Sequence, residues 1–139
     1  MEWGLFGGAF LAWCAALCWF DVRERRLPNV LTLPAVCVAL GASLWAVFDG
    51  APAPLVGLTL WTAVNGTAFL ARGMGAGDVK LAPTLGAVAA GAGGVPAALL
   101  AVLGAQFLTL AWALVARDRT VPHGPAMIAA TLAVAASTA

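Results

Sequence analysis

The sequence predicts an all-α integral membrane protein, a bundle of about six transmembrane helices in a single domain over residues 1–139. Two observations predict this fold class. Of the 139 residues, 63% are hydrophobic and only 9% are charged, whereas a soluble domain is about 25% charged. The charged residues are also confined to short segments between long uncharged runs. So few charges cannot cover a water-facing surface, which excludes a soluble globular domain.

Uncharged runs that can cross a bilayer mark the helices in order, since about 20 apolar residues span the hydrocarbon core as a helix. The runs cover residues 3–20, 30–48, 50–71, 81–116 and 125–139. The fourth run is too long for one ordinary span. Its GAGG sequence at residues 91–94, followed by Pro96, predicts a turn that divides it into two helices. The short last run then makes six spans.

The positive charges support this count. With six spans, all seven Lys and Arg residues fall on one side of the membrane, in the loops after the first, third and fifth spans. Because cationic residues accumulate in cytoplasmic loops, these loops are predicted to face the cytoplasm and both termini the outside. The net charge of +1, without a basic stripe, argues against nucleic acid as a partner.

Two acidic residues lie at the ends of predicted spans, where a charged group is costly and therefore a functional candidate. Asp21 directly follows the first span, and Asp78 lies at the mouth of the fourth. The predicted topology puts both at the cytoplasmic face, where helix packing can bring them face to face. Two such carboxylates in a low-dielectric site cannot both ionise readily and share one proton. They can then activate a water molecule and protonate a leaving amine, as in an aspartic protease.

Glycines precede Asp78. Gly75 and Gly77 lack a Cβ, so the backbone there can adopt a positive φ and approach a neighbouring helix or a substrate strand. Asp78 would then begin a helix, where the N-terminal dipole stabilises a carboxylate. From the residues alone, a flexible loop with a capping aspartate is an equally good interpretation.

Other polar residues in or beside the spans have structural interpretations. Asn65 lies in mid-span, and we expect it to hydrogen-bond across helices. His123 stands alone near the membrane and is predicted to be structural. Cys14 and Cys18 share a helical face, but two sulfurs do not make a closed zinc site. The sequence therefore predicts no metal and no cofactor.

Three segments together resemble the type IV prepilin peptidases, a family of intramembrane aspartyl proteases. Residues 75–78 (GAGD) match the family's GxGD signature, and the match extends to GxGDxKL at residues 75–81. Residues 21–29 (DVRERRLPN) are similar to the segment that carries the family's first aspartate. Residues 121–126 (VPHGPA) are similar to its late segment, which ends in Gly-Pro before the last helix. The three segments occur in the family's order and spacing, and together they extend over most of the chain.

The resemblance is closest to the short prepilin peptidases of tight-adherence (Flp) pili. It implies an enzyme of the bacterial inner membrane that cleaves the leader from prepilins and pseudopilins at the cytoplasmic face, just after a glycine. The implied partners are those leader peptides, the lipid bilayer and the pilus assembly machinery. Presenilin and signal peptide peptidase share GxGD, but their first aspartate follows a tyrosine, whereas Phe20 precedes Asp21 here.

The resemblance also implies roles for individual residues. Asp21 and Asp78 would be the catalytic pair. The supporting motif residues are Gly75, Gly77, Lys80, Pro28 and Asn29. Lys80 would tune Asp78, meet acidic groups of the substrate or anchor the chain at the cytoplasmic face. Asn29 would fix the loop after Asp21 through backbone hydrogen bonds or cap a helix.

Longer, bifunctional members of the family carry an N-terminal extension with paired CxxC motifs and also methylate the mature pilin. These 139 residues contain no CxxC pair, so we expect peptidase activity without N-methyltransferase activity. Two alternatives stay open: a small transporter or channel subunit that uses the aspartates as proton or cation sites, and a pilus-assembly scaffold without activity. Transporters place ionisable groups near the bilayer midplane. Asp21 and Asp78 are predicted at one face, which favours proteolysis.

Overall fold

The computed structural model describes residues 2–139, and within these residues the chain folds into five α-helices. They are α1 (Glu2–Glu24), α2 (Asn29–Phe48), α3 (Ala53–Leu70), α4 (Ala76–Ala116) and α5 (Gly124–Thr138). By length and composition, four of these described helices, α1 to α4, can cross a membrane. The prediction of an all-α fold with membrane-spanning helices is confirmed, whereas the count of six spans is not.

Helix α4 is interrupted where the sequence predicts a turn. Gly93 and Gly94 leave the helical conformation, and Gly94 adopts φ 76° and ψ −172°. This region of backbone space is open essentially to glycine alone, and Pro96 lacks the N–H that the hydrogen-bond ladder would need. The 41 residues of α4 are therefore two helical segments that meet at a kink. The predicted division into two helices is confirmed, whereas the assignment of a membrane span to each segment stays a prediction.

Two helices extend beyond their predicted ends, and both extensions include an acidic residue. Helix α1 continues through Glu24, so Asp21 lies in its last two turns and not after it. Helix α4 begins at Ala76 rather than at residue 81, with Gly75 as its extended N-cap. Asp78 is therefore the third residue of α4. Both acidic side chains start from regular helix, which fixes their directions.

The core lies where α3, α4 and α5 pack together. Gly57 of α3 and Gly86 of α4 bring their backbones into contact, because a Cβ added to either would collide with the carbonyl oxygen of the other. Close backbone approach of this kind drives helix association in lipid, where the hydrophobic effect cannot. Trp61, Leu85 and Met127 belong to the same core and are fully buried.

The outer surface is apolar. Val30 is 82% exposed and Phe48 is 90% exposed, and many other large apolar side chains are also exposed. An extended apolar exterior is typical of a surface that meets lipid. The chain therefore has the exterior of a multi-pass membrane protein.

Three of the helices are followed or ended by an arginine in the left-handed conformation. These are Arg25 (φ 52°) after α1, Arg72 (φ 60°) after α3 and Arg117 (φ 52°) after α4. The left-handed position that ends a helix is usually occupied by glycine. All three arginines belong to loops that the charge pattern assigns to one side of the membrane.

Candidate active site

Two segments that lie far apart in the sequence form the walls of one cavity of about 500 Å³. One wall is the end of α1 and the loop to α2, and the other is the start of α4. The cavity is lined by Asp21, Arg25, Arg26, Leu27, Pro28, Asn29, Gly75, Ala76, Gly77, Asp78 and Lys80. Every site residue predicted from the sequence, the two acidic residues and the five supporting ones, therefore lines the same cavity.

Asp21 is held by the start of the last helix. Its side chain is buried, and its Oδ2 accepts a hydrogen bond of 2.9 Å from the backbone N–H of Gly124. Gly124 is the first residue of α5, so this N–H is one of the amides that a helix leaves without an internal partner. A Cβ at Gly124 would lie 2.5 Å from Oδ2 of Asp21. Glycine is therefore required for this contact.

The sequence alone predicts no role for Gly124. In the sequence, Gly124 is marked only by its place in the Gly-Pro of residues 121–126, which forms part of the family resemblance. The structure adds the reason for a glycine at this position, which is the close approach of the Asp21 carboxylate.

Asp78 occupies the third position of α4, from which an acidic side chain can reach back to the N-cap N–H. The backbone N–H of Gly75 faces the carboxylate of Asp78. The carboxylate of Asp21 is close enough to interact electrostatically with that of Asp78. Behind it, Asn65 Nδ2 donates to the backbone carbonyl of Asp78 over 3.2 Å and contacts Met127 Sδ at 3.6 Å. The cross-helix hydrogen bond predicted for Asn65 is confirmed. It ties α3 and α5 to the turn of α4 that carries Asp78.

The two glycines before Asp78 allow close packing but not an unusual backbone. A Cβ at Gly77 would lie 3.2 Å from Cβ of Leu27, so the predicted close approach is confirmed, with the loop after α1 as the neighbour. Neither glycine uses the positive φ that its lack of a Cβ allows, since among the described glycines only Gly50 and Gly94 have one. Gly77 lies within regular helix, and Gly75 is an extended N-cap with φ −77°.

Lys80 and Asn29 contact each other across the cavity mouth. Lys80 Nζ donates to Asn29 Oδ1 over 2.7 Å, which joins the second turn of α4 to the first residue of α2. The interpretation of Asn29 as a helix cap is wrong, because Pro28 occupies the N-cap of α2. The pair instead holds the loop that carries Leu27 against α4.

His123 lies beside Gly124 but points into the protein. It is buried, and its Nδ1 shares a hydrogen bond with Thr109 Oγ1 of α4. Burial lowers the pKa of His123 to about 4, because the charged imidazolium is poorly solvated there. The residue is therefore neutral near pH 7. It fixes the segment before α5 on α4, in agreement with its predicted structural role.

Comparisons with known proteins find relatives of this chain. The family model described as the type IV leader peptidase family matches residues 8–114, which include both acidic residues. A prepilin leader peptidase/N-methyltransferase of Xanthomonas campestris pv. campestris is 32% identical over 138 aligned positions, covering 88% of this chain and 47% of that protein. The chain thus spans about half of the length of this curated relative. No solved structure matches the chain. On the family match over most of its length, this chain belongs to the type IV leader peptidase family.

Proposed function

We propose that the chain is an intramembrane aspartic endopeptidase that removes the N-terminal leader of Flp-type prepilins and pseudopilins. One observation carries this proposal: the carboxylates of Asp21 and Asp78 line a single cavity at one end of the helices. Family membership supports the substrate class, since the curated relative is a prepilin leader peptidase. The Flp-type specificity rests on the resemblance of residues 21–29 and 75–81.

The proposed chemistry needs only the two carboxyl groups and water. The ionised carboxylate takes a proton from a water molecule as the water oxygen bonds to the scissile carbonyl carbon. The protonated carboxyl donates a hydrogen bond to the carbonyl oxygen, where negative charge develops. When the C–N bond breaks, the protonated carboxyl gives its proton to the leaving amine, which departs as the new amino terminus of the pilin. The proton taken from water stays on the other carboxyl, so the pair again holds one proton. The leader keeps a new carboxylate.

The supporting residues shape the cavity in this proposal. Gly77 lets the loop after α1 lie against α4. The hydrogen bond from Lys80 to Asn29 holds the two elements together at the edge of the cavity. Gly75 gives α4 an N-cap without a side chain that would fill the space beside Asp78. These residues act on the geometry of the pair and leave the proton transfers to Asp21 and Asp78.

We place the enzyme in the bacterial inner membrane with six spans, both termini outside and the cavity on the cytoplasmic side. The positive charges support this orientation, since Arg25 and Arg26 line the cavity and cytoplasmic loops are rich in Lys and Arg. The interruption at Gly93 and Gly94 supports a division of α4. The substrate's apolar segment then lies in the bilayer beside the enzyme, within reach of the pilus assembly machinery.

We further propose that these 139 residues do not methylate the processed pilin. They contain no CxxC pair, the feature that accompanies methylation in the longer members that the chain resembles. Mass spectrometry of the processed pilin tests this directly. An N-terminal methyl group that depends on this chain would contradict it.

The transporter alternative fits the cavity less well. Arg25, Arg26 and Lys80 place three positive charges in its walls beside the two carboxylates, and positive side chains along a pathway oppose the passage of cations. A peptide carbonyl and its developing oxyanion suit that environment better. The charge pattern of the cavity therefore favours hydrolysis.

Co-expression with an Flp-type prepilin, followed by a gel-shift assay for loss of the leader, tests the proposed function. Asp21→Asn and Asp78→Asn should each abolish cleavage while the protein still inserts into the membrane. Asp49→Asn, the same substitution at an exposed loop residue, should cleave like the unchanged chain. Cleavage at the unchanged rate by either cavity variant would remove the pair from the mechanism.

A further inference from the structure

A second cavity, an apolar groove of about 610 Å³, opens between α1 and α2. Helix α1 packs on α5, and α2 packs on α3 and α4, so the two walls of the groove have few contacts with each other within the described chain. Trp13 of α1 bridges them, since its Nε1 donates to the carbonyl of Leu31 over 2.9 Å. The floor is α4, through Thr84, Ala87 and Val88.

Two buried hydroxyl groups in this groove lack hydrogen-bond partners. Ser43 is 1% exposed and Thr84 is 7% exposed, and neither Oγ of Ser43 nor Oγ1 of Thr84 has a partner among residues 2–139. Other hydroxyls in the same helices, those of Thr32 in α2 and Thr109 in α4, bond to the carbonyl one turn earlier. An unpaired hydroxyl in an apolar medium is costly. Lipid chains cannot pair with it, but a polypeptide can.

The groove begins where the catalytic cavity ends. On α2, Asn29 lines the cavity and Val30 lines the groove; on α4, Lys80 lines the cavity and Thr84, one turn later, lines the groove. Along α2 the groove extends from Val30 to Ser43, a distance of roughly 20 Å at 1.5 Å per helical residue. A chain that leaves the cavity in this direction runs along two apolar helices.

The α2 wall is built for a neighbouring helix. Ala35, Ala39 and Ser43 face the groove at intervals of four residues, the small-residue spacing that lets helices approach closely in membranes. In a prepilin, the chain on one side of the scissile bond is the leader, and the chain on the other side continues into the apolar segment. Because the α2 wall is apolar and suits a closely packed helix, it matches the apolar segment and not the leader.

We propose that the groove between α1 and α2 receives the apolar segment of the prepilin as a membrane-embedded helix, with Ser43 and Thr84 hydrogen-bonding to it. This inference rests on the proposed function, because it takes a prepilin as the substrate. The groove is the docking surface, and the cavity of Asp21 and Asp78 is the place of cleavage.

Disulfide cross-linking tests the contact without depending on cleavage. The probe is an Flp-type prepilin with one cysteine in the middle of its apolar segment. The chain offers a matched pair of neighbours on α2, because Val38 lines the groove and Cys37 is exposed outside it. Val38→Cys in a Cys37→Ala background should cross-link to the prepilin on oxidation, and the unchanged Cys37 should not. Equal cross-linking at both positions would overturn the proposal.

A comparison of two substrates tests the same contact in catalysis. One substrate is the full prepilin in vesicles, and the other is a short peptide across the scissile bond without the apolar segment. Ala42→Phe fills the groove at an exposed alanine, and Ala15→Phe makes the same change at an exposed alanine of α1 outside the groove. Ala42→Phe should reduce cleavage of the full prepilin only, and Ala15→Phe should reduce neither.

Removal of the hydroxyls gives a smaller change. Ser43→Ala and Thr84→Val should each raise KM for the full prepilin about threefold, the effect of one interhelical hydrogen bond in a bilayer, with the peptide's kinetics unchanged. Equal losses on both substrates, or no loss on the full prepilin, would overturn the groove as the docking site. If the unchanged chain cleaves neither substrate, the proposed function itself fails.

Discussion

The backbone N–H of Gly124 donates to Oδ2 of Asp21 over 2.9 Å, and the two residues lie 103 positions apart in the sequence. The contact joins the C-terminal end of α1 to the N-terminal end of α5. Because the donor is a main-chain amide at a helix N-terminus, it approaches the carboxylate along a fixed direction. The orientation of Asp21 therefore depends on where α5 begins.

Gly124→Ala should reduce leader cleavage by about 100-fold, the loss expected when a catalytic group shifts by about 1 Å. The added Cβ would lie 2.5 Å from Oδ2 of Asp21, so the carboxylate or the helix must move. The gel-shift assay on a co-expressed prepilin measures the loss. Gly66→Ala is the control, since a Cβ there meets no atom within 4 Å of the described chain. Full activity in Gly124→Ala would show that the contact does not position Asp21.

Gly57→Ala should destabilise the fold by about 1–3 kcal/mol, the usual cost of overpacking a tight contact. Its Cβ would collide with the Gly86 carbonyl oxygen and separate α3 from α4. Thermal unfolding in detergent measures this change. The control is again Gly66→Ala in the same helix, which should be neutral or stabilising because glycine weakens a helix by about 1 kcal/mol relative to alanine. Equal melting temperatures for the two variants would contradict the close contact.

Acid should destabilise the fold in part through His123. Its pKa is lowered from 6.5 to about 4 in the folded protein, so above pH 6.5 it is neutral in both folded and unfolded chains and has no effect. Between pH 6.5 and 4 only the unfolded chain takes up the proton. Stability then falls with falling pH, by up to about 1.4 kcal/mol per pH unit.

His123→Asn removes this titration and keeps a polar group beside Thr109. Its unfolding free energy should depend less steeply on pH between 6.5 and 4 than that of the unchanged protein. Denaturant titrations in detergent at several pH values give both curves. Parallel curves would mean that His123 is solvated in the folded state.

Reporter fusions test the proposed division of α4. A reporter after Gly50 should be active outside the cytoplasm, and a reporter after Arg119 should be active inside it. With α4 as one span, the segment after it would lie outside, and both reporters would then report the same side. That result would contradict the six-span topology but would leave the cavity of Asp21 and Asp78 unaffected.

The sequence predicts the components of the site better than their contacts. Asp21 and Asp78 follow from the cost of charge beside a span and from the motif resemblance, and the structure places both in one cavity. The bond from Gly124 to Asp21 depends on how α5 meets α1, which no local pattern encodes. The helical backbone of Gly77 also depends on tertiary structure, because helix α4 begins before the uncharged run.

The left-handed arginines after α1, α3 and α4 have a consequence for engineering. An L-residue in this conformation is less stable by about 1–2 kcal/mol, so a designer who seeks a more heat-resistant enzyme would substitute glycine at Arg25, Arg72 or Arg117. Each exchange would also delete one of the seven cations that direct insertion. At these three positions, heat resistance therefore favours glycine, whereas correct orientation in the bilayer favours arginine.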